Sequence, residues 1–305
     1  MNNYNFKITV FTATYNREHT LNRLYDSLVL QTMKDFEWLI IDDGSTDGTR
    51  ELIEKFRNEN KINIRYIYQD NRGKHIAMNN GVKIALGKYF FIVDSDDFLI
   101  LKSLEKILFH CNSIKNDSLS VGVIGLMKTS EKQNVKINSK IKYLDANIFD
   151  IRYKYKIKGD LAKVLKTDIL KNYPFPIFEN EKFCAESLIW NRIAMKYSYR
   201  LFNEIIYVCE YLQGGLSYNS IRNRRKSPNY TCILYCELAN NKKISFKLRI
   251  RAIINYWRFS LFIKNSFFYK LNEIKNFPLS IILFPIGVIL CFKDNFSDKT
   301  KISNS

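Results

Sequence analysis

The sequence has only three histidines, and none lies beyond residue 110, so no late imidazole is available to complete a metal shell. Its six cysteines stand at 111, 184, 209, 232, 236 and 291 without any C-x-x-C pairing. That spacing argues against a zinc module and fits free thiols in a reducing cytoplasm. The opening stretch MNNYNFKITVFTATYNRE has no charged region followed by a long apolar run, so no signal peptide is expected. No internal repeat or low-complexity linker interrupts the chain, and no obvious Ser–His or Cys–His pair suggests a covalent nucleophile. Acids are also scarce: 30 Asp and Glu stand against 48 Lys and Arg, a formal charge of +18. Such a surplus suggests an anionic partner without choosing between nucleic acid, lipid head groups and nucleotide phosphates. Its distribution is more telling, because residues 221–305 hold sixteen Lys and Arg against four acids, which places +12 of the charge in the C-terminal part.

What is present is enough chain, 305 residues, for one main domain with an appendage. KITVFTA (7–13), FEWLIID (36–42), INIRYIYQ (62–69) and YFFIVD (89–94) read as strands. Between them, HTLNRLYDSLVLQ, TRELIEKFRNEN and HIAMNNGVKIALG carry apolar residues at helical spacing. The second helix is expected to begin at an Asp47 or Thr49 cap, and the third to close at Gly87. Strands alternating with helices imply an α/β fold with a mixed, mostly parallel sheet flanked by helices. A further helix (101–114) and strand (120–130) follow. In such sheets ligands bind beyond the carboxyl ends of the strands. TATYN (12–16), DDGS (42–45) and DSDD (94–97) all fall there.

DSDD places three carboxylates within four residues at the end of a wholly apolar strand. A solvated turn or a helix cap accounts for one of them; the cluster suits a hard divalent cation, Mn²⁺ or Mg²⁺, which prefers oxygen ligands and shares them with phosphate. Asp42 and Asp43, read alone, fit an Asx turn better than a contact to a base or ribose.

Together, FTATYNRE (11–18), LIIDDGSTDGT (39–49), NRGKHIAMNNGVKIALGKYFFIVDSDD (71–97) and EKFCAESLIWNRIA (181–194) resemble the family 2 nucleotide-sugar glycosyltransferases, inverting enzymes of the GT-A fold, in motif order and spacing over roughly residues 6 to 220. The resemblance implies a sugar moved from a nucleotide, UDP above all, to a hydroxyl of a glycan acceptor, of the kind used in bacterial capsule, exopolysaccharide or O-antigen assembly. Carried onto this sequence, it sets Thr12, Ala13, Tyr15, Asn16 and Glu18 in the loop that frames the nucleotide, with Ala13 where many relatives have proline. It makes Asp43 the base contact and puts Arg72 and Lys74 near the base or diphosphate. Asp94 and Ser95 fall near the ribose, Asp96 is the leading metal ligand, and Asp97 is its substitute or support. Glu186 matches the general base, where relatives usually carry an aspartate after a glutamate; its plain alternative is an acid at a helix N-terminus. Glu179 and Glu181 stand behind it as fallback bases, and Arg192 is either a salt-bridge residue or a phosphate contact. His75 reads as a capping or solvated residue before a catalytic one. CEYLQGGLSYNS (209–220) reads equally as a flap over the donor or as a plain turn.

The expected division is a catalytic domain over 1–225 and a helical C-terminal region over 226–305. In the latter, KKISFKLRIRAIINYWRFSLFIK (242–264) mixes cations with apolar residues, and FPLSIILFPIGVILCF (277–292) is nearly all apolar. Sixteen residues with two prolines fall short of the roughly 20 that a spanning helix needs. The expectation is an interfacial segment on anionic lipid at the inner face of the cell membrane, with burial in the core or in a homo-oligomer as the alternative. Two other classes fit less well. A receiver-like phosphoacceptor would carry its acidic pair after the first strand rather than the second. A nucleic-acid binder would not mix its cations with apolar residues in this way, and no nucleic-acid partner is expected.

Overall fold

The computed structural model describes residues 4–129, 137, 141–210 and 219–302. Its elements run β1 (Phe6–Thr14), α1 (Glu18–Val29), β2 (Phe36–Asp42), α2 (Thr49–Glu59), β3 (Asn63–Tyr68), α3 (Lys74–Ile84) and β4 (Gly87–Ile92). Then come β5 (Phe98–Leu99), α4 (Ser103–Ser113), β6 (Ser120–Thr129), β7 (Tyr143–Ala146), β8 (Leu161–Lys166), α5 (Thr167–Leu170), α6 (Ser187–Ala194) and β9 (Ser198–Cys209). The chain closes with α7 (Ser220–Lys226), α8 (Pro228–Asn240), α9 (Phe246–Ser260), α10 (Phe267–Asn272) and α11 (Phe277–Ile302).

All nine strands form one mixed sheet in the order β3-β2-β1-β4-β8-β6-β9-β5, with β7 on β9. The half that carries the polar clusters, β3-β2-β1-β4, is parallel throughout. Composition explains why: every residue of FEWLIID is buried, as a strand covered on both faces requires. At the sheet edge, β3 leaves its ends exposed. Trp38 packs with Tyr25 of α1 and Phe56 of α2, which are themselves stacked at 4.0 Å, and this cluster clamps both helices to one face. Full burial of each such side chain contributes on the order of 2 kcal/mol. Toward the amino ends of the strands the sheet is closed by Glu37, fully buried, whose carboxylate accepts from Thr9 (2.6 Å) and the Leu86 N–H (2.7 Å) and pairs with Arg65 (2.7 Å). A buried carboxylate needs such partners.

Two expectations about helix ends are corrected. The helix at Lys74 ends at Ile84, and Gly87 is the first residue of β4 rather than a helix stop. A Cβ there would lie 2.1 Å from the Thr9 N–H nitrogen, so the glycine is what lets β4 approach β1. The α2 N-cap is Gly48; Asp47 acts one residue earlier, accepting from the Thr49 N–H at 3.1 Å.

The chain forms two compact units. The first, residues 1–175 and 189–215, contains the sheet. The second, 176–188 and 216–305, gathers α7 to α11 with the short segment that carries Glu179, Glu181 and Glu186. Its centre is Trp257, whose indole donates to the Ser280 hydroxyl (2.9 Å) and whose ring meets Phe267 and Phe284. Gly287 lies against it, where a Cβ would stand 2.5 Å from the Trp257 Cβ. The apolar run at 277–292, expected to stand as a sixteen-residue segment, extends further. It is the first part of a continuous 26-residue helix that keeps Pro285 in its interior. Among the described residues this is the one helix long and apolar enough, over Phe277–Asp294, to cross a membrane.

Candidate active site

The parallel strands β1, β2 and β4 end on one edge, with Thr14 level with Asp42 and Phe11 with Ile92. Two loops there are laced together. Asn16, at φ +53°, donates its N–H to Ser45 (2.9 Å) and accepts the Thr46 N–H (2.8 Å). Glu18 accepts the Gly48 N–H (3.2 Å), and the Arg17 N–H reaches Thr49 (2.9 Å). Asn16 and Glu18 therefore hold the loop following β1 against the loop following β2. Thr12, expected beside the nucleotide, is a core residue instead: it is fully buried and its hydroxyl accepts the Trp38 indole N–H at 3.0 Å. Ala13 is half-buried and Tyr15 exposed, so the loop surface belongs to them.

Asp42 and Asp43 divide the work of shaping this edge. Asp42 accepts from the Ser45 N–H (2.8 Å) and the Tyr66 hydroxyl (2.9 Å). Asp43 is buried and receives three hydrogen bonds, from Gln69 (2.7 Å), the Arg72 N–H (2.9 Å) and the Gly73 N–H (2.8 Å). Its carboxylate thus fixes the 72–73 turn, where Gly73 takes φ +96°, a value that favours glycine. The turn presents an exposed Arg72 side chain and directs Lys74 onto Asp94, Nζ to Oδ1 at 2.5 Å. His75 is neither a cap nor solvated. It is 2% exposed, edge-on to Phe175, and burial followed by the charge of Arg72 pushes its imidazole down to about 4.

Asp94 to Asp97 form a turn closed by the Asp97 N–H on the Asp94 carbonyl (3.1 Å). Potential ligand oxygens of Asp94, Asp96 and Asp97 lie within 4.8 Å of one another, an all-oxygen donor set that fits Mg²⁺ or Mn²⁺. The three are not equivalent. Asp97 is buried and accepts from the Tyr207 hydroxyl (2.6 Å) and the Glu210 N–H (2.9 Å), so it anchors the turn. Burial, and after it the Asp94 charge, pushes its carboxyl up to about 7. Ser95 is also buried, whereas Asp96 is half-buried and its carboxylate accepts no hydrogen bond among the described residues. Asp96 is the carboxylate left for a cation, with Asp94 beside it.

Sequence reading missed three residues that hold this turn. β5 pairs antiparallel with β9, Leu99 opposite Tyr207, and this brings Tyr207 under the turn. Arg23 of α1 donates to the Asp96 carbonyl (2.5 Å), pairs with Glu210 (2.6 Å) and lies over the Phe98 ring. Tyr207 and Glu210 stand more than 100 residues from the motif they support, and no local pattern marks them. The expected flap at 209–220 falls mostly outside the described residues.

Glu186, in the second unit, is half-buried and directly precedes α6, as its helix-end reading requires. Glu179 is exposed. Glu181 is buried and accepts from the Asn229 N–H (2.9 Å) and side chain (2.8 Å) and the Tyr230 N–H (3.1 Å), so its carboxylate is committed to the start of α8. Arg192 is half-buried on α6.

Comparison with known proteins identifies the family and the fold. The profile of glycosyl transferase family 2 matches residues 9–169, more than half of the chain. The poly(ribitol-phosphate) β-N-acetylglucosaminyltransferase TarP of Staphylococcus aureus is 27% identical over 218 residues, 70% of this chain and 59% of TarP. The solved structure of S. aureus TarS 1-349 in complex with UDP superposes with a TM-score of 0.61 at 20% identity, covering 92% of this chain and 81% of that one. A mannosyltransferase from Pyrobaculum calidifontis, solved with GDP-Man and Mn²⁺, gives a TM-score of 0.53 at 16% identity, covering 96% and 81%. The chain spans only 13–16% of the length of several curated relatives that it matches at 40–41% identity.

Proposed function

The chain belongs to glycosyl transferase family 2, and from that premise we propose that it moves a sugar from a UDP-linked donor to a hydroxyl of a glycan acceptor, with inversion at the anomeric carbon. The observation that carries this reading is Lys74, set by the 72–73 turn that Asp43 holds, paired with Asp94 beside an uncommitted Asp96. Arg72 and Lys74 supply the positive charge that a diphosphate needs, and Ala13 and Tyr15 line the loop toward the base. Asp96, with Asp94, would hold Mn²⁺ or Mg²⁺, which when bound offsets negative charge on the departing diphosphate. The chemical step is a single displacement. Glu186 takes the proton of the acceptor hydroxyl while that oxygen bonds to the anomeric carbon, and the bond from this carbon to the diphosphate oxygen breaks, releasing UDP. No covalent enzyme intermediate is required, in keeping with the lack of a nucleophile pair.

The acceptor is read as a lipid-linked glycan of capsule, exopolysaccharide or O-antigen assembly, reached from the cytoplasmic face of the membrane. The concentration of cations and apolar residues after residue 220 supports this. The test is a panel of nucleotide sugars, UDP-N-acetylglucosamine first, followed by hydrolysis and thermal shift with Mn²⁺. A ligand that binds only the folded state raises the melting temperature by mass action. A UDP-sugar that stabilises the protein and is slowly hydrolysed is the expected result; indifference to every nucleotide sugar with the metal present overturns the reading.

A further inference from the structure

The second unit carries an apolar surface that its own packing leaves uncovered. Along α11, Ser280, Leu283, Gly287 and Cys291 turn inward, and Asp294 pairs with Arg258 of α9 at 2.6 Å. The opposite side shows Phe277, Ile281, Ile282, Ile286, Ile289 and Phe292, all exposed, with Ile282 at 69% and Ile289 at 65%. Apart from the adjacent pair Ile281 and Ile282, they follow one another at three or four residues, which puts them on one side of the helix, a strip about 22 Å long at 1.5 Å per residue. This is the reverse of an ordinary surface helix, which turns its polar side to water. Monomeric proteins rarely leave so continuous an apolar strip bare.

The strip continues into a cleft of about 510 Å³ between α9 and α11. Ile250, Ile254, Ile286 and Leu290 make its apolar walls, while Lys247 and Arg251 stand at it from α9. Both cations are without an ion-pair partner among the described residues. Lys293 is exposed at the far end of the strip. An apolar strip bordered by unpaired cations matches a surface that is apolar within and anionic at its rim.

We propose that the exposed side of α11, together with the Lys247–Arg251 edge of α9, is the face by which this protein lies on an anionic lipid bilayer. The apolar side chains enter the acyl boundary, and the two cations meet lipid phosphates. A spanning orientation is disfavoured because the inward side of α11 is committed to Trp257 and Arg258, and crossing the bilayer would break those contacts. A second copy fits less well, because it would bring its own Lys247, Arg251 and Lys293 against a surface already positive. This inference deepens the reading of a membrane-borne acceptor and rests on it for purpose alone; no residue of the sheet edge enters it.

The experiment is flotation of the full chain with phosphatidylcholine vesicles made with and without phosphatidylglycerol. Two double variants accompany it, Ile282→Glu with Ile289→Glu and Lys247→Glu with Arg251→Glu. All four positions lie outside the catalytic set, so binding of UDP with Mn²⁺ should stay at the wild-type level and confirm folding. The wild type should float with the phosphatidylglycerol vesicles and hardly with the neutral ones. Each double variant should lose more than about tenfold in partitioning: every lost cation weakens it roughly fivefold, and each Glu in place of an isoleucine withdraws an apolar side chain from the acyl boundary. The proposal is overturned if the wild type stays at the bottom with both vesicles, or if flotation ignores both double variants. It is equally overturned if sedimentation finds a dimer that the Ile282, Ile289 variant dissolves while vesicles bind nothing. Loss of flotation with donor binding retained separates this face from the catalytic reading, which fails only if donor binding itself is absent.

Discussion

The hydroxyl of Tyr207 donates to Oδ2 of Asp97 at 2.6 Å and accepts the Asp94 N–H at 2.9 Å, so one buried oxygen fastens both ends of the turn that presents Asp96. Burial, with the two carboxylates next, holds this phenol well above its usual range, so it remains a donor at any working pH. Tyr207→Phe removes both bonds and keeps the ring against Phe91. A hydrogen bond to a charged group is worth about 1.5 to 3 kcal/mol, so affinity for Mn²⁺ in the presence of UDP should fall by at least roughly tenfold. Titration followed by the electron paramagnetic resonance of free Mn²⁺ measures this directly, and the far-ultraviolet spectrum should not change. Wild-type affinity in the variant would mean that the turn keeps its shape without the phenol.

Asp96 and Asp97 should separate by what their loss affects. Asp97 accepts two buried hydrogen bonds, so Asp97→Ala strands the Tyr207 hydroxyl and the Glu210 N–H and should lower stability by about 2 to 4 kcal/mol. Asp96 makes no such bond, and Asp96→Ala should leave the denaturation midpoint close to wild type while abolishing Mn²⁺ binding. Chelation of the wild type should match the Asp96 variant in activity. A destabilised Asp96→Ala beside an unharmed Asp97→Ala would reverse the two roles.

The parallel half of the sheet and its polar edge were legible because each strand and helix carries its own local period, and the three acidic or polar clusters end their strands abruptly. The expected and observed bounds of β2 coincide, since FEWLIID is flanked by polar residues on either side. Residue roles within the edge were less legible. Thr12 sits in a motif whose neighbours face the loop, and only the indole of Trp38, 26 residues away, reveals that its hydroxyl points into the core. Glu181 and Glu186 look interchangeable in EKFCAE, yet one is spent capping a helix that begins nearly fifty residues later. The apolar run alone understates α11, because the residues that carry the helix from Phe292 to Ile302 are mostly polar and show no apolar period. Pro278 lies in the first turn, where its missing N–H costs nothing, and Gly287 is required by Trp257.

His75 should make stability depend on acid. Its folded value, about 4, lies below the 6.5 of an exposed imidazole, so between these values the unfolded chain binds a proton that the folded chain refuses. Stability is therefore unaffected by this group above about pH 6.5 and falls as the pH drops toward 4, by about 2 kcal/mol at pH 5. His75→Leu removes that proton and exacts any packing cost equally at all pH values. Urea midpoints of wild type and variant at pH 7 and pH 5 give the comparison, and the wild type should lose more on acidification. Parallel losses in the two proteins would show that the imidazole is protonated in the fold as readily as outside it.

Glu186 is the remaining candidate for the base, because Glu181 is committed to α8 and Glu179 stands exposed. A carboxylate ahead of a helix is stabilised there by the N-terminal dipole whether or not it has a chemical role, so position alone does not distinguish the two readings. Glu186→Gln does. The amide keeps the size and a hydrogen-bonding oxygen but cannot take a proton, so turnover should fall at least about a hundredfold, while UDP and Mn²⁺ bind as in the wild type. Glu181→Gln should do the opposite, lowering the melting temperature through the α8 cap while turnover per folded molecule persists. Turnover retained in Glu186→Gln and lost in Glu179→Gln would move the base seven residues upstream and leave Glu186 as a helix-end acid.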